Sequence, residues 1–101
     1  MTGRFGMKDF TTTINGRRYR VVFKYSGNDN FGMCTNPSLV RRTITIPPQL
    51  LHPDRDKELL SIAIHEALHA ADWDKDESWI ENTAIELAHL LTKLGYQRTD
   101  E

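Results

Sequence analysis

The chain has 101 residues, of which 39% are hydrophobic and 27% charged, and its formal net charge is −1. That length supports one domain spanning residues 1–101 with a modest core, and leaves no room for a separate regulatory module. No stretch approaches the roughly 18 apolar residues of a membrane span, and Met1 to Phe10 lacks the apolar core of a secretion signal, so the expectation is a cytoplasmic protein with no membrane partner.

Charge is unevenly spread. Residues 1–50 carry eight Lys/Arg against Asp9 and Asp29, and residues 51–101 carry five against twelve Asp/Glu. A basic half joined to an acidic half can mark a polyanion-binding surface, but in one small domain the halves more commonly attract each other. Cys34 is the sole cysteine, which excludes an internal disulfide and any Cys-rich metal site. The residue itself reads as a small buried hydrophobe.

The first half reads as β. Phe10 to Ile14 and Arg17 to Tyr25 flank Asn15-Gly16, the dipeptide of a tight hairpin turn. Ser26 to Gly32 is rich in turn formers and predicts a loop, and Asn36-Pro37-Ser38 predicts a second turn. Arg42 to Ile46 alternates in strand fashion until Pro47-Pro48 stops it.

The second half, residues 54–95, reads as helical. Asp54 is the expected N-cap of a helix from about Arg55 to Ala71 whose apolar residues cover most of its circumference, the mark of a buried helix. Asp72 to Asp76 forms a short acidic connection. Asp74 or Asp76 then caps a helix from about Glu77 to Leu94 that ends at Gly95, with Ile80, Ala84, Leu87 and Leu91 as its core stripe. Gln97 to Glu101 reads as a frayed tail. The predicted fold is therefore α+β, a small antiparallel sheet from residues 1–50 packed on two helices.

His65, Glu66, Ala67, Leu68 and His69 spell H-E-x-x-H within the first helix. Residues four apart lie about 40° apart in projection, so His65 and His69 present two imidazoles on one face, able to share one Zn²⁺. Glu66 lies on the same turn, where a carboxylate reaches a water at the metal without being a ligand, the position of a general base. Buried histidines and a buried glutamate otherwise cost desolvation energy, which a metal offsets.

A catalytic zinc takes three protein ligands. Glu77 and Glu81, four apart on the second helix, are the candidates for the third; Asp72 and Asp74 read as turn and cap residues, and His89 lies too far along the axis. The tetrahedral oxyanion needs a further donor, and spacing does not choose among Tyr25, His52 and Tyr96. Trp73 and Trp79 read as closing the core beside the site.

The run H-E-A-L-H-A-A-D-W-D-K-D-E-S-W-I, followed by A-x-x-L-A-x-x-L and L-G-Y, resembles the small HExxH metallopeptidase-like proteins encoded by bacteriophages and prophages, distant relatives of the ImmA/IrrE gluzincins. The resemblance also takes in N-F-G-M-C-T-N-P and R-T-I-T-I-P-P-Q-L, and so covers most of the chain. It implies a minimal zincin-like domain in a bacterial host cell, one zinc per chain, and a protein or peptide substrate. It also implies Glu77, three residues before Ile80, as third ligand, with Glu81 orienting a ligand histidine. The wider gluzincin pattern of Glu followed three residues later by a small residue fits Glu81 and Ala84, which would make Glu81 the ligand instead. Ser78 stands where the family often has a second acidic residue. Two other functions remain open at this point: a non-catalytic, zinc-stabilised protein that binds a host or phage partner, and a nucleic-acid-binding module using the basic strands.

Overall fold

The computed structural model describes residues 8–25 and 32–96. It comprises strands β1 (Phe10–Ile14), β2 (Arg17–Phe23), β3 (Met33–Cys34) and β4 (Thr43–Ile46), followed by helices α1 (Asp56–Ala71) and α2 (Glu77–Lys93). Short 3-10 turns at Pro48–Leu51 and Pro53–Arg55 connect β4 to α1. Residues 1–7, 26–31 and 97–101, which include most of the expected Ser26–Gly32 loop and the expected tail, lie outside the described residues.

The Asn15-Gly16 turn forms as its chemistry requires: both residues have positive φ, 51° and 76°, and Ile14 pairs with Arg17 across it. A turn with both central residues left-handed matches the twist of its flanking strands. The sheet has the order β1-β2-β4-β3. It is mixed and not wholly antiparallel, because β2 and β4 run parallel while β1–β2 and β3–β4 are antiparallel. Alternation in Arg42 to Ile46 fixes which side chains face the core but carries no information about strand direction, and residues 24–42 are long enough to return the chain to the same end of the sheet.

One sheet face carries Tyr19, Val21, Ile44 and Ile46, buried against Leu50 and Ala70. Helix α1 covers this face and α2 packs chiefly on the other side of α1. The hairpin also holds the end of α1. Asn15 Nδ2 donates to the Ala71 carbonyl at 3.0 Å, and the buried Tyr19 hydroxyl donates to the Ala70 carbonyl at 3.4 Å. These carbonyls belong to the last helical turn and have no intrahelical partner.

The helix ends differ in how they are capped. Asp76 caps α2, accepting from the Trp79 amide at 3.2 Å and from the Ser78 hydroxyl. Gly95, at φ 93°, ends it in a Schellman arrangement in which the Tyr96 amide reaches the Leu91 carbonyl at 3.0 Å. Asp54, the expected cap of α1, instead sits in the preceding 3-10 turn, where its own amide donates to His52 Nδ1 at 3.1 Å. Arg55 occupies the N-cap position without a side-chain cap bond. Pro53 draws the chain into the tighter turn first and displaces the start of α1 past Asp54.

Helix α1 is half-buried along most of its length, with Glu66 and Ala70 fully buried, because a cavity opens on each side of it. Helix α2 buries Ile80, Ala84 and Ala88; Leu91 is half-buried and Leu87 is exposed, so its buried face is rotated from the expected stripe. Alanines at these positions let the two helices approach closely, whereas leucines would hold them apart. Ala84→Leu is therefore expected to destabilise the protein by about 1–3 kcal/mol through overpacking, measured as a lower urea midpoint with unchanged slope.

Candidate metal centre

The end of α1 and the start of α2 meet at the Asp72–Asp76 connection, which sets the first turn of α2 beside the histidines of α1. Asp76 fixes that first turn as its cap, so Glu77 leaves the helix at a defined angle. His65 Nε2 and His69 Nε2 lie 3.2 Å apart. Glu77 faces both, with Oε2 3.1 Å from His65 Nε2 and Oε1 2.9 Å from His69 Nε2. Among the described residues this is the group of His, Cys, Asp or Glu side chains whose donor atoms all lie within 4.8 Å of one another.

The spacing fits a tetrahedral ion. Two ligand atoms each about 2.0–2.1 Å from such an ion are about 3.3–3.4 Å apart, close to the separations here. The donor set of two imidazoles and one carboxylate also matches the borderline-soft character of zinc, and leaves a fourth position open. The histidines are about four-fifths covered while Glu77 is 63% exposed, so the triad closes from the buried side and opens to solvent.

Glu66 lies deeper, only 6% exposed. Burial, with the negative charge of Glu77 adding to it, pushes its carboxyl up to about 7. Gly32 sits directly against it: a Cβ there would lie 2.9 Å from Glu66 Cγ, 2.9 Å from Ile62 Cγ2 and 3.1 Å from Glu66 Oε2. Glycine at this position lets the chain leading into β3 close over Glu66. The Cys34 thiol, half-buried on β3, is pushed up to about 12 by burial and then by the charge of Glu66, so it is protonated at neutral pH. Its Sγ donates to the Thr35 carbonyl at 3.4 Å.

These groups share a cavity of about 570 Å³ lined also by Met33, Ser61, Trp73, Glu81 and Ile85. Glu81, the other acidic candidate, lies one turn beyond Glu77 on the cavity wall but outside the three-donor cluster. Among the described residues no hydrogen bond joins Glu81 to either histidine. Trp73 stacks obliquely beside His69, its ring centroid 6.1 Å away, while Trp79 is exposed and carries Lys75 over its ring. His89 is exposed on α2 and does not line the cavity.

None of Tyr25, His52 and Tyr96 lines the cavity. Tyr25 is exposed, His52 accepts from the Asp54 amide, and Tyr96 lines an apolar groove on the other flank of α1. Gly32, Met33, Ser61 and Ile85 are wall residues without a sequence signal of their own. In the basic half, Arg20 pairs with Asp9 at 3.1 Å, Arg18 donates to Thr11, and Arg42 donates to the Pro37 and Leu39 carbonyls, so part of that charge is spent within the domain. Among the described residues, no helix is long and apolar enough to cross a membrane.

No protein-family model matches the chain, and neither the curated proteins nor the solved structures contain a match to it.

The raised Glu66 carboxyl has a thermodynamic consequence in the metal-free protein. The folded chain keeps a proton that the unfolded chain releases in the ordinary carboxylate range, so stability falls as pH rises from that range through about 7. Glu66→Gln removes the penalty. With metal chelated, it is expected to stabilise the protein by on the order of 3 kcal/mol at pH 8, a gain that shrinks toward pH 5, read by urea denaturation across pH. Gly32→Ala is expected to destabilise by about 1–3 kcal/mol, since Glu66 and Ile62 must shift to admit the methyl group; a calorimetric scan measures it.

Proposed function

We propose that the chain is a zinc-dependent hydrolase of peptide bonds, with His65, His69 and Glu77 holding one ion and Glu66 acting as general base. The observation that carries this reading is the convergence of three donor atoms at tetrahedral spacing beside the buried Glu66 carboxylate in one solvent-open cavity. A structural zinc site is normally closed by four protein ligands, whereas three ligands and a cavity leave space for a reacting group.

His65, His69 and Glu77 would hold the zinc, which would supply an acidified water and polarise the scissile carbonyl. Glu66 accepts a proton from the attacking water and delivers it to the departing amine as the C–N bond breaks. Its burial suits both steps, since loss of water favours the protonated carboxyl that must hold the proton between the two transfers. The second edge of the sheet, β3, contributes Met33 and Cys34 to the cavity wall and has no described strand on its outer side. An extended peptide pairing along that edge would bring its backbone to the metal. The resemblance to phage-encoded HExxH proteins agrees with this reading and with a cytoplasmic site of action in a bacterial host.

The test combines metal content with cleavage of a peptide library. Wild type is expected to hold about one zinc per chain. His65→Ala, His69→Ala and Glu77→Ala lose it, and Glu81→Ala keeps it. Glu66→Gln is expected to retain zinc while cleavage falls by about 10²–10⁴-fold. A wild-type chain that never takes up zinc sinks the metal site. Undiminished cleavage by Glu66→Gln sinks the general-base assignment, and zinc without any cleavage in wild type moves the protein to the non-catalytic, zinc-stabilised class.

A further inference from the structure

Helix α2 carries a second apolar row that the fold does not use. Thr83, Leu87, Leu90 and Leu94 follow one another at spacings of four, three and four, the seam of a coiled coil. Leu87, Leu90 and Leu94 are 37%, 52% and 64% exposed, and Thr83 is half-buried. Helix α2 packs chiefly on α1 and buries Ile80, Ala84 and Ala88 there.

We infer that this row is the interface of a homodimer in which α2 pairs antiparallel with α2 of a second copy. The charges beside the row select this partner and this direction. Glu86 and Lys93 occupy equivalent positions on the outer flank, one heptad apart. In an antiparallel pair these flanks face each other, so Glu86 meets the partner's Lys93 and Lys93 meets the partner's Glu86. The same register sets Leu87 opposite the partner's Leu90 and Thr83 opposite the partner's Leu94. The inner flank carries Ala84, already buried against α1, and half-buried Leu91, so no charge is set against an apolar group there. A parallel pair would instead set Glu86 against the partner's Leu91, with no ionic complement. Self-pairing thus gives each charged flank residue one ionic partner, which an arbitrary apolar partner does not.

The metal cavity stays open in this dimer. Leu90 lies nine residues from Glu81, which at 3.6 residues per turn is about 180° around the helix. The pair is weak, because a single helix from each copy falls short of the roughly 800 Å² per partner of a standard stable interface. Dimerisation therefore appears as concentration is raised, and it requires no metal.

Sedimentation velocity on the whole chain over a concentration series, with and without chelator, tests the inference. Wild type is expected to pass from monomer to dimer as concentration approaches millimolar. Leu90→Lys, which keeps helical support from Glu86 four residues earlier, is expected to stay monomeric with an unchanged circular-dichroism spectrum. Glu86→Lys weakens dimerisation by about threefold to tenfold, and Glu86→Lys with Lys93→Glu restores it, because the reversed pairs are again complementary. Wild type that remains monomeric at millimolar concentration overturns the inference. So does a dimer indifferent to Leu90→Lys, or a double reversal no better than the single change.

Discussion

The close packing of α2 on the end of α1 is the constraint from which the candidate site follows. His65 and His69 share a face of α1 by helical periodicity alone, but their third partner must come from elsewhere in the chain. The short Asp72–Asp76 connection brings α2 back beside the last turn of α1, and Ala84 and Ala88 keep the separation small. Asp76 then sets the direction of the first turn, so Glu77 reaches both Nε2 atoms. At the other end of the same helix junction, Asn15 and Tyr19 hold the Ala70 and Ala71 carbonyls. A hairpin more than fifty residues away in sequence thereby fixes the platform on which His69 stands.

The electrostatics of this junction run against stability. Glu66 is buried next to the charge of Glu77, and both the loss of water and that charge favour its protonated form. A core built for stability alone would place an apolar residue there and no glycine at position 32. A cation among His65, His69 and Glu77 would neutralise Glu77 and remove the like-charge part of the penalty, so ion binding and folding are coupled through Glu66 as well as through the ligands. The protonated Cys34 thiol adds no further charge to the cavity.

The parts of the fold legible in the sequence are those fixed by contacts within a few residues. Asn15-Gly16 announces its turn because both residues tolerate positive φ, and His65, Glu66 and His69 announce one helical face. Asp76 before Glu77 and Gly95 after Lys93 mark both ends of α2. Strand direction is different: β2 and β4 run parallel, and the side-chain alternation of a strand carries no information about its direction. The two-residue β3 is too short for alternation to reveal, yet it supplies Met33 and Cys34 to the cavity wall. Asp54 has the chemistry of an N-cap, but Pro53 and His52 draw it into a preceding turn. Tyr25, His52 and Tyr96 have suitable donors but stand away from the cavity, because proximity across elements is not a property of residue type.

The buried face of α2 is the most instructive departure. The stripe expected on this helix, Ile80-Ala84-Leu87-Leu91, differs from the one that is buried, Ile80-Ala84-Ala88. The fold buries the second, because Ala88 admits the close approach to α1 that Glu77 needs to reach the histidines, while Leu87 turns outward. Chemistry at one end of the helix thus decides which leucines are left on the surface at the other. Three sides of a single helix are committed in this way: Glu77, Glu81 and Ile85 to the cavity, Ile80, Ala84 and Ala88 to α1, and Leu87, Leu90 and Leu94 to solvent. A helix that needed only to stabilise a small core would not carry large apolar side chains on an exposed flank beside its core contacts, where each one exposed forgoes the burial that makes such residues useful. The outward leucines are therefore informative in a way that scattered surface leucines are not, since they continue a regular seam flanked by complementary charge.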